Sequence, residues 1–143
     1  MSVLLDVNVL VALFDPAHIH HDTAHDWFGA GREEGWATCP LTENGFVRVL
    51  SNPAYPGRRT TVADAAGRLT RLTRGGGHVF WADEISLLDD SVIDRGRLSG
   101  HRQITDAYLL VLAVSNDGRV VTFDRGLPLG AVRGAEPEHV VVL

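Results

Sequence analysis

Lysine is absent from this 143-residue chain, whose 13 basic residues are all arginine. A chain without lysine has no Schiff-base chemistry and no Walker-type phosphate loop, because both need an amine side chain. Cys39 is the only cysteine, which excludes an intrachain disulfide and a cysteine-rich zinc site. No apolar run reaches the ~18 residues of a membrane helix, and a predicted strand begins too early to leave room for a leader. We therefore expect a cytoplasmic protein with no membrane segment.

The charge balance argues against a protein that coats nucleic acid by charge alone. The formal net charge is −5, and such binding needs an excess of basic residues. An enzyme that engages a few phosphates locally is not excluded. A hydrophobic content of 45% with 22% charged residues is ordinary for a globular protein. We expect one domain over residues 1–143, long enough to bury roughly two-thirds of its unfolded surface.

Short apolar runs alternate with segments of helical periodicity along the whole chain, which predicts an α/β fold. This alternation is typical of a three-layer α/β/α sandwich around a mostly parallel sheet. The predicted strands are Val3–Leu5, Trp36–Cys39, Val79–Ala82, Val120–Phe123 and Val140–Leu143. The predicted helices are Val7–Phe14, a helix capped by Asp22 and ending at Phe28, Leu41–Leu50 after Pro40, Thr61–Arg74, Leu88–Leu98 and Thr105–Asn116.

Four acids fall at the ends of predicted strands or in the first turns of predicted helices. Asp6 and Asp124 follow two strands directly, and Glu43 and Asp106 lie in first turns that reach the same edge. Parallel α/β sheets bind their ligands at this carboxyl edge. Clustered carboxylates repel one another unless protons or a divalent cation neutralise them, and Mg²⁺ and Mn²⁺ prefer oxygen ligands. The pattern favours a metal-dependent hydrolase that cuts a phosphodiester.

Each acid also has an ordinary structural explanation when it is taken alone. Asp6 could cap the following helix, and Glu43 and Asp106 could interact with helix dipoles. Asp124, which precedes Arg125-Gly126, could form a turn. Four such coincidences at one edge of a sheet are much less frequent than one, so the combination favours the functional interpretation.

The residues around these acids resemble the PIN-domain ribonucleases, and more narrowly the VapC-type toxins of bacterial toxin–antitoxin pairs. The similar stretches are residues 4–10 (LLDVNVL), 40–50 (PLTENGFVRVL), 104–109 (ITDAYL) and 121–124 (VTFD). The similarity runs from the first predicted strand to the last and so covers essentially the whole chain. The second and third stretches, in this order and spacing, are the specific ones.

The resemblance implies a metal site and a mechanism. Asp6, Glu43, Asp106 and Asp124 would hold one or two Mg²⁺ ions, which Mn²⁺ could replace. Asn8 and Thr122 would orient the carboxylates or water. A bound cation would then activate water for hydrolysis of RNA without a covalent enzyme intermediate.

The same resemblance implies partners. These are an RNA substrate, a cognate VapB-like antitoxin and a second copy of the chain in a homodimer, with DNA reached only through the antitoxin. We expect the antitoxin to lay a segment across the acidic edge and an exposed groove flanked by Leu10, Phe14 and Phe46.

Arginines and histidines outside the acidic set leave alternatives open. Arg48 could contact a phosphate or form a surface salt bridge, and the remaining candidates could bind RNA or an acidic partner or simply be solvated. A zinc site at the histidine cluster would need an acid or cysteine at fixed spacing, so surface histidines at a helix start are the favoured interpretation. The arginines are Arg58, Arg59, Arg68, Arg71 and Arg74, and the histidines are His18, His20, His21 and His25.

Two other functions compete with a nuclease. A receiver domain of a signalling system also clusters acids at strand ends, but it needs a lysine on its last strand, which this chain lacks. A non-catalytic interaction module of the same fold is disfavoured by the intact set of four acids, and only metal-binding and cleavage assays separate it from an enzyme.

Overall fold

The computed structural model describes residues 1–143 and contains one sheet of five strands. All neighbouring strands are parallel, and the spatial order is β3-β2-β1-β4-β5. The first strand of the chain therefore lies in the middle of the sheet. The strands are β1 (Val3–Leu5), β2 (Trp36–Thr38), β3 (His78–Phe80), β4 (Arg119–Thr122) and β5 (Val140–Val142).

Helices cover both faces of this sheet, which confirms the predicted three-layer α/β/α architecture. Four helices pack on one face against Leu5, Trp36 and Val121, and the fifth packs on the other face against Leu4 and Val120. None of the helices combines the length and the apolar character that a membrane crossing requires. The helices are α1 (Val7–Phe14), α2 (His21–Gly31), α3 (Pro40–Ser51), α4 (Val62–Thr73) and α5 (Ile104–Ser115).

The alternation of side chains along a strand decides which face each polar residue reaches. Thr38 lies two residues after Trp36, so its side chain points toward the face of α1 to α4. Thr122 lies two residues after Val120 and points toward α5. Both threonines are fully buried at the ends of their strands.

The first helix begins and ends at the predicted residues. Asp6 caps α1, since its Oδ1 accepts the backbone N–H of Val7 at 2.7 Å. The helix stops before Asp15-Pro16 because proline disfavours helical conformation in the residue before it. Other predicted bounds differ by one or two residues; for example, Cys39 ends no strand and instead occupies the cap position of α3.

The prediction that Asp22 caps the second helix is wrong. The helix begins one residue earlier, and Asp22 lies within its first turn. The ring Nδ1 of His21 lies 2.7 Å from the carbonyl oxygen of Ala12, one of the carbonyls that the end of α1 leaves without a helical partner. This contact joins the two helices and fixes where α2 starts. The helix also continues through Gly29 to Gly31 instead of ending at Phe28.

The predicted helix Leu88–Leu98 is also wrong. The segment forms turns and one 3₁₀ turn, Arg95–Arg97. Asp89 accepts the backbone N–H of Ser91 at 2.9 Å, and Asp94 accepts that of Gly96 at 3.1 Å. Such local side-chain bonds compete with helical ones. Ile93, fully buried, also pairs in a β-bridge with Val132, which a helix would prevent.

A glycine lets α3 approach α1 closely. A Cβ at Gly45 would lie 2.5 Å from Cγ2 of Val7. Val7 follows Asp6 directly, and Gly45 lies two residues after Glu43. This contact therefore sets the spacing between the helices that carry two of the predicted site residues.

Candidate active site

Three aspartates meet at the carboxyl edge of the sheet, at the end toward α5. Asp6 follows β1, Asp124 lies two residues beyond β4, and Asp106 is the third residue of α5. The backbone N–H of Asp6 donates to the carbonyl of Val121 at 3.0 Å, which extends the pairing of β1 with β4 up to the site. Asp6 and Asp124 therefore lie beyond the carboxyl ends of two neighbouring strands.

The hydroxyl of Thr122 joins these elements. It donates to Oδ2 of Asp6 at 2.7 Å, and it accepts the backbone N–H of Asp124 at 3.1 Å and the side-chain amide of Asn8 at 3.4 Å. A hydroxyl has one proton and two lone pairs, so all three positions are filled. Thr122, one of the two predicted orienting residues, therefore contacts Asp6 and Asp124 directly. Asn8, the other, is linked to these acids through the Thr122 hydroxyl.

The three carboxyl groups perturb one another's protonation. Burial raises the pKa of Asp6, as does the charge of Asp124, while hydrogen bonds from Thr122 and Val7 oppose the rise. The pKa of Asp106 is raised to about 6, mainly by burial, then by the charges of Asp6 and Asp124 and a hydrogen bond with Asp124. Acids whose ionisation is this costly gain from a nearby cation.

The donor chemistry of this cluster fits a divalent cation. Carboxylate oxygens are suitable ligands for Mg²⁺ or Mn²⁺. Oδ1 of Asn8 is buried beside Thr122 and accepts no hydrogen bond, so it is an additional oxygen with no partner. No three His, Cys, Asp or Glu side chains already converge as a ligand set. Asp124 is exposed and Asp106 is partly exposed, so both carboxylates have room to turn toward Asp6.

The fourth predicted acid, Glu43, is held by a different threonine. Its Oε1 accepts a hydrogen bond of 2.7 Å from the hydroxyl of Thr38. Thr38 points to the face of the four helices, whereas Thr122 and Asp6 are on the face of α5. Glu43 is not among the charges that raise the pKa of Asp6 or Asp106. Its role as a metal ligand stays a prediction.

Two polar residues beside Glu43 were missed by the sequence reasoning. Thr38 contacts both Glu43 and the ring of His78, whose Nε2 lies 2.8 Å from the hydroxyl. Thr38 was predicted only as part of a strand. His78 was missed because the predicted third strand began one residue later. The one available signal was a histidine between a glycine triplet and an apolar run.

A cleft of about 550 Å³ is lined by Val7 and Thr105, the sequence neighbours of Asp6 and Asp106. Arg48 and Asp83 also line it. Arg48 is exposed and takes no part in either of the two salt bridges, which join Arg95 to Asp90 and Arg97 to Asp94. The alternative of a surface salt bridge at Arg48 is therefore not observed.

The remaining arginine candidates also lack a carboxylate partner. None of the five forms a salt bridge, and four are exposed while Arg68 is partly buried. Their predicted role in binding RNA or an acidic partner stays a prediction. These residues are Arg58, Arg59, Arg68, Arg71 and Arg74.

The histidine cluster has structural contacts, and its side chains do not converge as a ready set of metal ligands. His21 contacts the end of α1, and the ring of His20 stacks on Phe123 with centroids 4.5 Å apart. His18 accepts the backbone N–H of His20 at 3.1 Å. His25 lies next to His21, with ring centroids 5.6 Å apart.

The predicted exposed groove flanked by Leu10, Phe14 and Phe46 is wrong. Leu10 and Phe46 are fully buried because both belong to the core beneath the four helices. Phe14 is partly buried and packs edge-on against Phe46, with ring centroids 4.9 Å apart.

Comparison with known proteins agrees with this architecture. A family model described as the PIN domain matches residues 3–131. Ribonuclease VapC44 of Mycobacterium tuberculosis is 51% identical over 143 residues, which is the whole of both chains. VapC39 of the same organism is 46% identical over 134 residues, 94% of this chain and 96% of that one.

A solved structure supports the fold. The crystal structure of M. tuberculosis VapC20, a sarcin-ricin loop cleaving toxin, has a TM-score of 0.60 at 12% identity and covers 87% of this chain and 91% of its own. At this low identity, the likeness bears on the fold alone. The full-length sequence relationship is the stronger finding, and by it this chain belongs to the PIN-domain family and, within that family, to the VapC ribonucleases.

Proposed function

We propose that the protein is a single-domain, divalent-metal-dependent endoribonuclease and the toxin of a toxin–antitoxin pair. The observation that carries this proposal is the cluster of Asp6, Asp106 and Asp124: the Thr122 hydroxyl bonds Asp6 and the backbone of Asp124, and the charges of both act on Asp106. The relatives named ribonucleases, one of which is similar over its whole length, support RNA as the substrate.

Asp6, Asp106 and Asp124 would hold Mg²⁺ or Mn²⁺, with Glu43 as a fourth acid nearby. Such an ion lowers the pKa of a bound water and stabilises negative charge on the phosphate. The protein's own contribution is to keep Asp6 fixed through Thr122 and Val7. The network leaves Asp106 and Asp124 mutually repelling, which favours the uptake of a cation.

RNA would enter along the cleft that passes Val7 and Thr105. Arg48 lies in this cleft without a carboxylate partner, so its guanidinium is available for a phosphate. A local contact of this kind suits a chain whose overall charge is negative. We assign to Arg48 the binding of substrate and no part in the chemical step.

The proposed protein partners are a VapB-like antitoxin and a second copy of the chain, in the cytoplasm. A groove of about 260 Å³ between α3 and α4 runs from Glu43 past Val47 and Leu69. An antitoxin segment in this groove would end beside Glu43 and could place an arginine against its carboxylate. DNA would be reached only through the antitoxin.

Cleavage of RNA by matched variants tests the enzymatic proposal. Asp6→Asn and Asp106→Asn should each lower the rate on the order of a thousandfold, because several kcal/mol of charge stabilisation would be lost. Asp26→Asn is the control, since Asp26 is exposed on α2 and its carboxylate makes no hydrogen bond. Chelation of divalent ions should abolish wild-type activity. Full activity of folded Asp6→Asn, or with chelator, would refute the proposed mechanism.

The toxin proposal needs separate experiments. Induction of the wild type in a bacterial host should stop growth, whereas induction of folded Asp124→Asn should not. Equal toxicity of the two would indicate that the protein acts by sequestering a partner and not by cleaving RNA.

Co-expression with the product of the adjacent gene should give a complex with little nuclease activity. A stable complex with unchanged cleavage and Mn²⁺ affinity would exclude occlusion of the acids. Light scattering of the purified chain tests the homodimer.

A further inference from the structure

Glu43, Thr38 and His78 form a continuous chain of side chains from α3 through β2 to β3. The hydroxyl Oγ1 of Thr38 lies 2.7 Å from Oε1 of Glu43 and 2.8 Å from Nε2 of His78. Thr38 is fully buried, so water cannot replace either contact. The hydroxyl is therefore the junction between the carboxylate and the imidazole.

The single hydroxyl proton determines the direction of both hydrogen bonds. A carboxylate can only accept, so Thr38 must donate its proton to Glu43. The hydroxyl then has only lone pairs left for the imidazole. A lone pair on Nε2 facing a lone pair on oxygen at 2.8 Å would be repulsive, so Nε2 must carry a proton and donate.

The surroundings of His78 hold the ring in this position. The register pairs His78 with Trp36, and the two rings lie 4.6 Å apart between centroids. The indole of Trp36 is itself fixed by a hydrogen bond of 3.2 Å to the carbonyl of Gly76. Burial lowers the pKa of His78, which favours the neutral ring, while the charge of Glu43 acts in the opposite direction.

We propose that His78 is a positioning residue for Glu43: its Nε2–H directs the hydroxyl of Thr38, and that hydroxyl holds the carboxylate at the edge of the acidic site. This role rests on the proposed function, in which Glu43 is the fourth acid. The same arrangement recurs around Thr122, where a backbone N–H and the Asn8 amide occupy the accepting side of the hydroxyl. His78 is thus the counterpart of those two donors.

The protonated nitrogen of His78 can be observed without any activity assay. Long-range ¹H–¹⁵N spectra of the metal-free wild type at neutral pH should place the ring proton on Nε2. Thr38→Val should change the shift of this nitrogen strongly, and Thr38→Ser only weakly, because serine retains the hydroxyl. A ring protonated on Nδ1 alone in the wild type would overturn the proposal, whatever the protein's activity.

Variants test the effect on the site. His78→Phe retains an aromatic ring against Trp36 but removes the donor, and it should reduce kcat or Mn²⁺ affinity about tenfold with KM for RNA little changed. Thr38→Val should have a similar effect, and Thr38→Ser should restore near wild-type values. His25→Phe, at an exposed position of α2, is the control.

The outcomes separate this inference from the proposed function. The role of His78 would be overturned if folded His78→Phe were fully active while the wild type cleaved RNA and Asp6→Asn did not. That result would leave the proposed nuclease function unchanged. A wild type that neither cleaves RNA nor binds Mn²⁺ would overturn the proposed function. If His78→Phe does not fold, the comparison of Thr38→Ser with Thr38→Val decides, since equal values for the two would exclude the hydroxyl junction.

Discussion

Thr38 ends β2 and Thr122 ends β4, and each buried hydroxyl donates a hydrogen bond of 2.7 Å to an acid at the carboxyl edge of the sheet. The two junctions differ in their charge. Around Thr122, burial together with the charges of Asp6 and Asp124 raises the pKa of Asp106 to about 6. Around Thr38 the single acid Glu43 is joined to an imidazole.

The difference follows from the alternation of side chains along the strands. Thr122 shares a face with Leu4 and Val120, where α5 brings Asp106. Thr38 shares the opposite face with Trp36, where α3 brings Glu43. One edge of a sheet can therefore hold two differently charged halves, and we expect the half at Thr122 to dominate cation binding. The following variants test this division.

The largest effect is expected when the Thr122 junction is broken. Thr122→Val removes the donor to Asp6 and leaves the amides of Asn8 and Asp124 without an acceptor. We expect Mn²⁺ affinity to fall about 10–100-fold and the free energy of unfolding to fall by about 1–3 kcal/mol. Calorimetric titration and urea unfolding measure the two quantities. Thr122→Ser is the control, and a larger loss of Mn²⁺ affinity in Thr38→Val would reverse the proposed ranking of the halves.

The spacing between the two halves depends on Gly45. A methyl group there would meet Cγ2 of Val7 at 2.5 Å, and a β-branched side chain in a helix cannot easily rotate away. Gly45→Ala should therefore destabilise the protein by about 1–3 kcal/mol, despite alanine's higher helix propensity. The measurement is chemical unfolding.

Two further variants make the Gly45 result interpretable. Gly67→Ala, in α4, meets nothing closer than 3.7 Å and should stabilise the protein by up to about 1 kcal/mol. Val7→Ala combined with Gly45→Ala should recover part of the loss. Equal stability of Gly45→Ala and Gly67→Ala would show that a methyl group at Gly45 is accommodated between α1 and α3 without loss of stability.

The charge at the Thr122 half predicts a pH dependence of stability. The folded-state pKa of Asp106 lies above that of the unfolded chain, so the folded state binds protons more tightly. Without added metal, this contribution to stability is present below about pH 4 and is lost as the pH rises through about 6. After allowance for solvent screening of a partly exposed group, the loss is on the order of 1 kcal/mol.

Thermal unfolding at several pH values measures this loss. Asp106→Asn should be the more stable protein near neutral pH and should lack this part of the pH dependence. The comparison with the wild type removes the opposite contribution of Asp15, whose pKa is lowered chiefly by the hydroxyl of Tyr55. Parallel pH profiles for the two proteins would contradict the assigned coupling of the aspartates.

The smallest effect is expected at Arg48, which lies on the same helix as Glu43. Arg48→Gln should raise KM for RNA a few-fold, with kcat little changed, because one exposed phosphate contact contributes only modestly and is screened by salt. Arg119→Gln, at the start of β4 and so at the opposite edge of the sheet, is the control. A reduced kcat with unchanged KM would place Arg48 in the chemical step instead.

Local signals made much of this fold predictable. Asp6 before an apolar helical pattern and Asp15-Pro16 after it defined α1, because the cap and the proline act within a few residues. The segment from Leu88 to Leu98 was not predictable in this way. Its spacing resembles a helix, but the pairing of Ile93 with Val132 is a long-range contact that no local pattern contains.

In the candidate site, too, the features with local signals were predictable and those that depend on long-range contacts were not. The aspartates stood out because strand ends and helix starts place them at one edge. The contact between Thr38 and His78 depends on the register of β2 with β3, and a shift of one residue in the predicted third strand hid it. The bonding of Glu43 by Thr38, and of Asp6 by Thr122, likewise required knowledge of which face each strand-end residue reaches.

The position of β1 in the middle of the sheet has a consequence for how the protein is made. Its partner β4 is synthesised long after it, since the bond between Thr122 and Asp6 joins residues 116 positions apart. Until β4 emerges from the ribosome, β1 has no neighbour on that side, and Asp6 lacks both Thr122 and Asp124. The aspartate cluster of the proposed nuclease is therefore incomplete until β4 has been made, and for that time the growing chain remains beside the RNA-rich machine that makes it without a complete site.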